Sequence, residues 1–197
     1  LEAILHSVRE KEWDVVQRIG QAPIGVVAEL ERLLPQLDRD ARELAVACLT
    51  VHPGPECGRV LLGMAEDADI QVAGFAARSL LSATEVPTGQ EILRVLSRRP
   101  DAFVRTHLYL ALGLSSQPCG LQELRGLIET ESDPDARLSA QAAAVRLGGE
   151  SERQELAERV RLATSGEAER LFDLLAYAGD PRPAKELVAW LESEAVV

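Results

Sequence analysis

A repeat of about 32 residues limits what this chain can fold into more than any other feature. The stretch Asp133-Pro134-Asp135-Ala136-Arg137 leads into small and apolar residues that run to Ala144. Segments 38–49 (DRDARELAVACL), 67–80 (DADIQVAGFAARSL), 100–112 (PDAFVRTHLYLAL) and 165–176 (SGEAERLFDLLA) fit the same frame. With the first key apolar residue set at position 0, the frame passes through Ala41, Val72, Val104, Ala136 and Ala168, which lie 31, 32, 32 and 32 residues apart. Prolines supply a second marker. Pro23, Pro55, Pro87 and Pro118 stand 32, 32 and 31 residues apart, Gly149-Glu150-Ser151 replaces the next, and Pro181 falls 63 residues beyond Pro118. Two markers that share one period point to a stack of similar supersecondary units.

Each period reads as two helices, A and B. Helix A is expected to start at the proline, where a missing N–H is harmless. Its buried stripe recurs six and nine residues on, at Leu61 and Met64, Leu93 and Leu96, Leu124 and Leu127, and Leu187 and Trp190. Helix B is expected to start at an Asp or Ser cap and to bury frame positions 0, 3–4 and 7–8. These are Val104, His107, Leu108, Ala111 and Leu112 in one unit, and Ala136, Ser139, Ala140, Ala143 and Ala144 in the next. A helix of alanines buries little area by itself, at roughly 25 cal/mol per Å². It is useful where neighbouring helices approach closely, and the glycines after it end it. The expected fold is all-α: a right-handed α-solenoid of stacked antiparallel helix pairs forming a single domain over 1–197. Residues 1–21 form a degenerate N-terminal cap, 22–180 five repeats, and 181–197 a C-terminal helix.

Asp133-Pro134-Asp135-Ala136-Arg137, with Pro100-Asp101 and Val104-Arg105 one period earlier, resembles the HEAT repeat. The likeness is to the short bacterial variety of about 30 residues, similar to repeats of the phycobilisome-lyase-like group, and it covers roughly residues 22–193. The period is shorter than the ~40–47 residues of most HEAT and armadillo units. The ankyrin Thr-Pro-Leu-His and the tetratricopeptide pattern are both missing. The resemblance implies a solenoid and, as a second functional reading, a chromophore-lyase-like enzyme subunit or accessory factor.

Charge narrows the partners. The chain carries 32 acidic and 21 basic residues, a net charge of −11. Nucleic acids and anionic membranes call for clustered cations, so neither is an expected partner. A HEAT-like DNA glycosylase is disfavoured on the same ground. No run approaches the ~18 apolar residues of a membrane span. Three cysteines, an odd number, argue against a disulfide framework and fit a reducing, cytoplasmic setting.

Chemistry-bearing residues are sparse and scattered. His107 occupies a buried frame position and reads as a packed histidine with a backbone hydrogen bond. His6 and His52 fall in other units, so no histidine cluster offers a metal site. HEAT-like deoxyhypusine hydroxylases hold iron with His-Glu pairs, and this chain has no His-Glu dipeptide. Cys57 and Cys119 stand near the starts of A helices, where the helix dipole lowers a thiol pKa; packing is the expected role for both. Cys48 reads as core. Arg42, Arg105 and Arg137, with Asp40, Asp101 and Asp135 before them, recur at the repeat period and are expected to cap B helices and tie adjacent units. Arg94, Arg98, Arg99 and Arg105 form the best basic patch and read as a solvated face. There is no glycine-rich phosphate loop and no nucleophile elbow.

The expected function is a non-enzymatic protein–protein interaction scaffold, with no catalytic residue, metal or cofactor. The frame turns positions 1, 2, 5, 6 and 9 of each B helix outward. The expected contact strip is therefore Arg78, Arg105, Tyr109, Arg137, Gln141 and Tyr177, with Asp173 beside it. Tyr and Arg often carry interface energy, and arginines in an acidic molecule suit a partner protein or peptide with an acidic segment. Gln141 is expected to face outward and to tolerate a charge.

Overall fold

The computed structural model describes residues 2–23 and 25–178, and every regular element among them is helical. Residues 2–19 hold two short helices, α1 (Glu2–Arg9) and α2 (Val15–Ile19). The A helices are α3 (Gly25–Leu33), α5 (Glu56–Met64), α7 (Gly89–Leu96), α9 (Leu121–Thr130) and α11 (Glu150–Leu162). The B helices are α4 (Arg39–Val51), α6 (Ile70–Ser79), α8 (Ala102–Leu114), α10 (Pro134–Arg146) and α12 (Ser165–Tyr177). The helix expected over 181–197, with Leu187 and Trp190, lies outside the described residues. The chain divides into two compact units, Leu1–Pro118 and Cys119–Val197.

Cap chemistry explains where the B helices begin. Their N-caps are Asp38, Asp69, Asp101, Asp133 and Thr164. The carboxylates of Asp38, Asp69 and Asp133 accept the orphan backbone N–H groups of Ala41, of Gln71 and Val72, and of Asp135 and Ala136. Asp40 and Asp135 are therefore not caps. A cap needs extended backbone ahead of the helix, whereas these two already sit in the first turn, where they pair with Lys11 and Arg170. The prolines also lie further out than expected. Pro55 is the N-cap of α5, and the other three precede the first helical residue by two or three positions. Before α7 the cap is Thr88, in a reciprocal capping box with Glu91.

The periodic arginines do one job three times. Arg42 donates to the carbonyl of Leu37, Arg105 to those of Arg99 and Pro100, and Arg137 to that of Glu131. Each closes the turn that joins helix A to helix B. Arg42 also pairs at 2.9 Å with Asp67 in the turn of the following pair, and Arg99 donates to the carbonyl of Asp67. Within the first unit Arg42 and Arg99 thus both tie a neighbouring pair to the α5–α6 turn at Asp67.

In the first unit α4 packs on α2, α5 and α6, and α6 packs on α5 and α8. The core between them is aliphatic, with Leu30, Leu44, Leu49, Leu61, Leu80, Ile92, Leu108 and Leu112 fully buried. In the second unit α10 packs on α9, α11 and α12. Every residue of α10 from Leu138 to Val145 is buried, so its alanines serve close packing around the whole circumference rather than along one stripe. Gly148 ends the helix at φ +91, its N–H donates to the carbonyl of Val145, and that of Gly149 donates to Ala144. Those two bonds make a Schellman motif, which needs the left-handed residue that glycine supplies.

Candidate docking surface

On α6, Ile70, Gly74 and Arg78 follow at i, i+4 and i+8 and so share one row of the helix surface. The Phe103 ring of α8 lies across the middle of that row. A Cβ at Gly74 would stand 2.1 Å from Phe103 Cε1. Phe103 is 51 % exposed and Ile70 39 %, although both are large apolar residues. One turn further along α8, His107 meets the Phe103 ring edge-on at a centroid distance of 5.0 Å, and its Nδ1 bonds the Phe103 carbonyl at 2.9 Å. Burial pushes the His107 pKa down, the bond to the Phe103 carbonyl opposes that, and the charge of Arg78 lowers it further. The imidazole is thus held neutral beside a cation.

The residues expected on the strip separate into three groups. Arg78 and Arg137 are exposed, as is Asp173. Arg105 and Tyr177 are half-buried. Arg105 is tied to backbone carbonyls, while the Tyr177 ring lies 5.5 Å from the Arg146 guanidinium, whose Nη1 bonds the Tyr177 carbonyl. Burial pushes the Tyr177 hydroxyl well above its ordinary pKa, against a smaller opposing effect of Arg146. Tyr109 and Gln141, in contrast, are only 3 % exposed, so neither faces outward. A helix enclosed on several sides keeps a narrow outward arc. On α8 that arc carries Phe103, Thr106 and His107, not Tyr109. His107 is accordingly half-buried at the edge of the core rather than inside it.

Phe103 had a signal in the sequence. The position just before frame position 0 holds Asp40, Gln71, Phe103, Asp135 and Glu167, all exposed. One phenylalanine in a column that is otherwise polar marks a surface residue of unusual type. Gly74 is the small residue that gives its ring a seat.

Elsewhere the charges are largely satisfied. A cleft of about 490 Å³ is lined by Leu34, Pro35, Val60, Gly63 and Met64, with the Arg42–Asp67 pair at its rim. Arg59 also lines it and makes two 2.7 Å bonds to Glu31. The basic patch is mostly consumed by pairing, Arg98 with Glu66 and Arg99 with Asp101. Cys57 Sγ lies 3.6 Å from His52 Nδ1, but that nitrogen accepts the Gly54 N–H and both side chains are buried. Burial raises the pKa of Cys57 and of Cys119 and pushes Cys48 up to about 12, which overrides any lowering by the helix dipole. All three cysteines are free. Among the described residues no His, Cys, Asp or Glu cluster is placed to hold a metal, and no helix is long and apolar enough to cross a membrane. No protein-family model, curated protein or solved structure matches the chain.

Proposed function

We propose that this chain is a non-enzymatic interaction scaffold built from short HEAT-type repeats whose pairs stack as a right-handed solenoid, and that it binds a partner protein or peptide along the outward face of its B helices. The observation that carries the reading is the exposure of two large apolar residues, Ile70 on α6 and Phe103 on α8, the latter at a position that the other repeats keep polar. Exposed large apolar side chains held together on a rigid helix face are what an interface core requires. Support for the repeat assignment comes from the caps at Asp38, Asp69, Asp101, Asp133 and Thr164 and from the recurring Arg42, Arg105 and Arg137 bonds. In the first unit Arg78 is the central arginine of this face and the half-buried Arg105 lies at its margin, while Arg137 and Tyr177 belong to the second unit; the buried Tyr109 and Gln141 contribute no contact.

A photo-crosslinking residue placed at position 103 and, separately, at the exposed Gly63 of the A-helix side tests the reading in source-cell extract. Discrete adducts from position 103 and none from position 63 are expected. Equal labelling from both, or labelling from position 63 alone, defeats it.

A further inference from the structure

Among the described residues no carboxylate pairs with Arg78. Most arginines of the first unit are paired: Arg42 with Asp67, Arg59 with Glu31, Arg98 with Glu66 and Arg99 with Asp101. Arg105 is held by backbone carbonyls. Arg78 is exposed and has no ion pair or hydrogen bond to any described residue, in a chain with 32 acidic side chains to offer one. His107, whose pKa the charge of Arg78 helps to lower, is neutral or cationic and so supplies no counter-charge. An unpaired cation thus stands at one end of an exposed apolar row, with Ile70 at the other end and Phe103 across the middle.

The row has a length. Arg78 lies one helical turn beyond Gly74 and two beyond Ile70, roughly 6 and 12 Å along the axis of α6. We propose that this row is the docking site for an acidic peptide segment of a partner protein, with one bulky apolar side chain lying against Phe103 and Ile70 and one carboxylate pairing with Arg78. The proposal rests on the reading that the outward B-helix face binds protein and adds the chemistry of what it binds. At roughly 3.3 Å per residue for an extended chain, the apolar and acidic residues of the ligand stand two to four positions apart; in a helical ligand they stand three or four apart. Gly74 is part of the recognition, because only a residue without a Cβ lets the Phe103 ring lie flat enough to leave Ile70 and Arg78 open on either side. A guanidinium favours a carboxylate through paired N–H donors, and the surplus negative charge of the rest of the chain repels acidic segments that miss this point.

The test is selection of phage-displayed random peptides of about a dozen residues on the full chain, followed by fluorescence anisotropy with the synthetic winners. Expected winners carry Asp or Glu two to four positions from Leu, Ile, Phe or Trp. Their affinity falls at least about tenfold on Arg78→Glu and on Phe103→Ser, and a winner whose acid is replaced by Lys regains binding to R78E. Circular dichroism melts, with Arg78→Gln and Phe103→Leu as milder variants, establish that the proteins compared are folded. Winners that need Phe103 but are indifferent to Arg78→Glu overturn the acidic-ligand proposal and leave the docking face standing. Winners indifferent to both substitutions overturn the face as well. Absence of enrichment, or enrichment of basic peptides, also overturns the proposal.

Discussion

The Phe103 ring occupies the space that a side chain at Gly74 would fill, with only 2.1 Å between its Cε1 and a Cβ at that position. The contact joins α6 to α8 on their outer side and holds the ring against His107. Gly74→Ala must therefore expel the ring. The ring is half exposed and can rotate away, while alanine in a helix interior gains about 1 kcal/mol over glycine. Overall stability is expected to stay within about 1 kcal/mol of the parent in urea titrations.

His107 reports the same change through its titration. Its folded pKa lies below the ordinary 6.5, mainly through burial. The unfolded chain therefore binds the proton more readily, and folding stability is lost as pH falls from about 6.5 through the lower folded value. In Gly74→Ala the imidazole gains solvent, its pKa moves back up, and this part of the acid sensitivity shrinks. An NMR titration of the three histidines reads the shift directly; an unchanged His107 pKa would show that the ring does not shield it.

Arg125 and Glu152 make the corresponding tie between the A helices of the second unit, with bonds of 2.6 and 3.0 Å. Glu152 is 7 % exposed, and the hydrogen bonds from Arg125 hold its carboxyl below the usual carboxylate range against the opposing effect of burial. Its stabilisation is complete above the unfolded pKa of about 4.3 and disappears as pH falls through the depressed folded value. Glu152→Gln should flatten the acid limb of a stability-versus-pH curve below about pH 4.5. Arg125→Ala should lower the melting temperature at pH 7 more than loss of the exposed Arg161–Glu158 pair does.

His52 and Ser115 are chemically unlike but structurally equivalent. Each is the residue following a B helix, each is buried, and each bonds a carbonyl near the start of the A helix of its own pair: His52 Nε2 to Ala22 and Ser115 Oγ to Pro87. Each also accepts the N–H two residues on, from Gly54 and Gln117. These two bonds place the His52 proton on Nε2. His52→Ala leaves the buried Gly54 N–H and the half-buried Ala22 carbonyl without partners and should cost about 2–3 kcal/mol, with Ser115→Ala near 1–2 kcal/mol. Equal, negligible losses in denaturant titrations would show that water replaces both bonds.

The helix succession was legible in the sequence because cap chemistry is local. An Asp three residues before the frame's apolar position specifies a helix start whatever surrounds it, and Asp69, Asp101 and Asp133 keep that offset. Asp40 and Asp135 misled because they share the residue type but stand two positions late. The outward strip was less legible. A frame for one buried face says nothing about how much of the remaining circumference neighbouring helices cover, and that is what buries Gln141. The equivalence of His52 and Ser115 was invisible because a shared backbone task is met by different side chains. Phe103 was legible in principle, as the apolar member of a polar column, although tyrosine and arginine are the residue types that more often mark an interface.

Gln141 and Ala140 decide how tightly α10 is enclosed. Both are buried, with Ala140 at 0 % and Gln141 at 3 % exposure. Gln141 Oε1 has no hydrogen-bond partner among the described residues, a buried acceptor in a helix rich in alanine. The two positions should therefore respond alike to charge. Ala140→Glu and Gln141→Glu each place a carboxylate at a buried position, at a cost of several kcal/mol; the glutamate at 141 costs somewhat less because it adds no volume. Gln141→Met is the discriminating change. It keeps the length of the side chain and removes the unsatisfied oxygen, so stability should be unchanged or rise by about 1 kcal/mol. The exposed Arg146, near the end of the same helix, provides the comparison with a surface position; Arg146→Gln should cost less than either glutamate substitution. Urea titrations of the four variants give the ranking. A silent Gln141→Glu would mean that solvent reaches position 141 and that the alanine face is not closed around it.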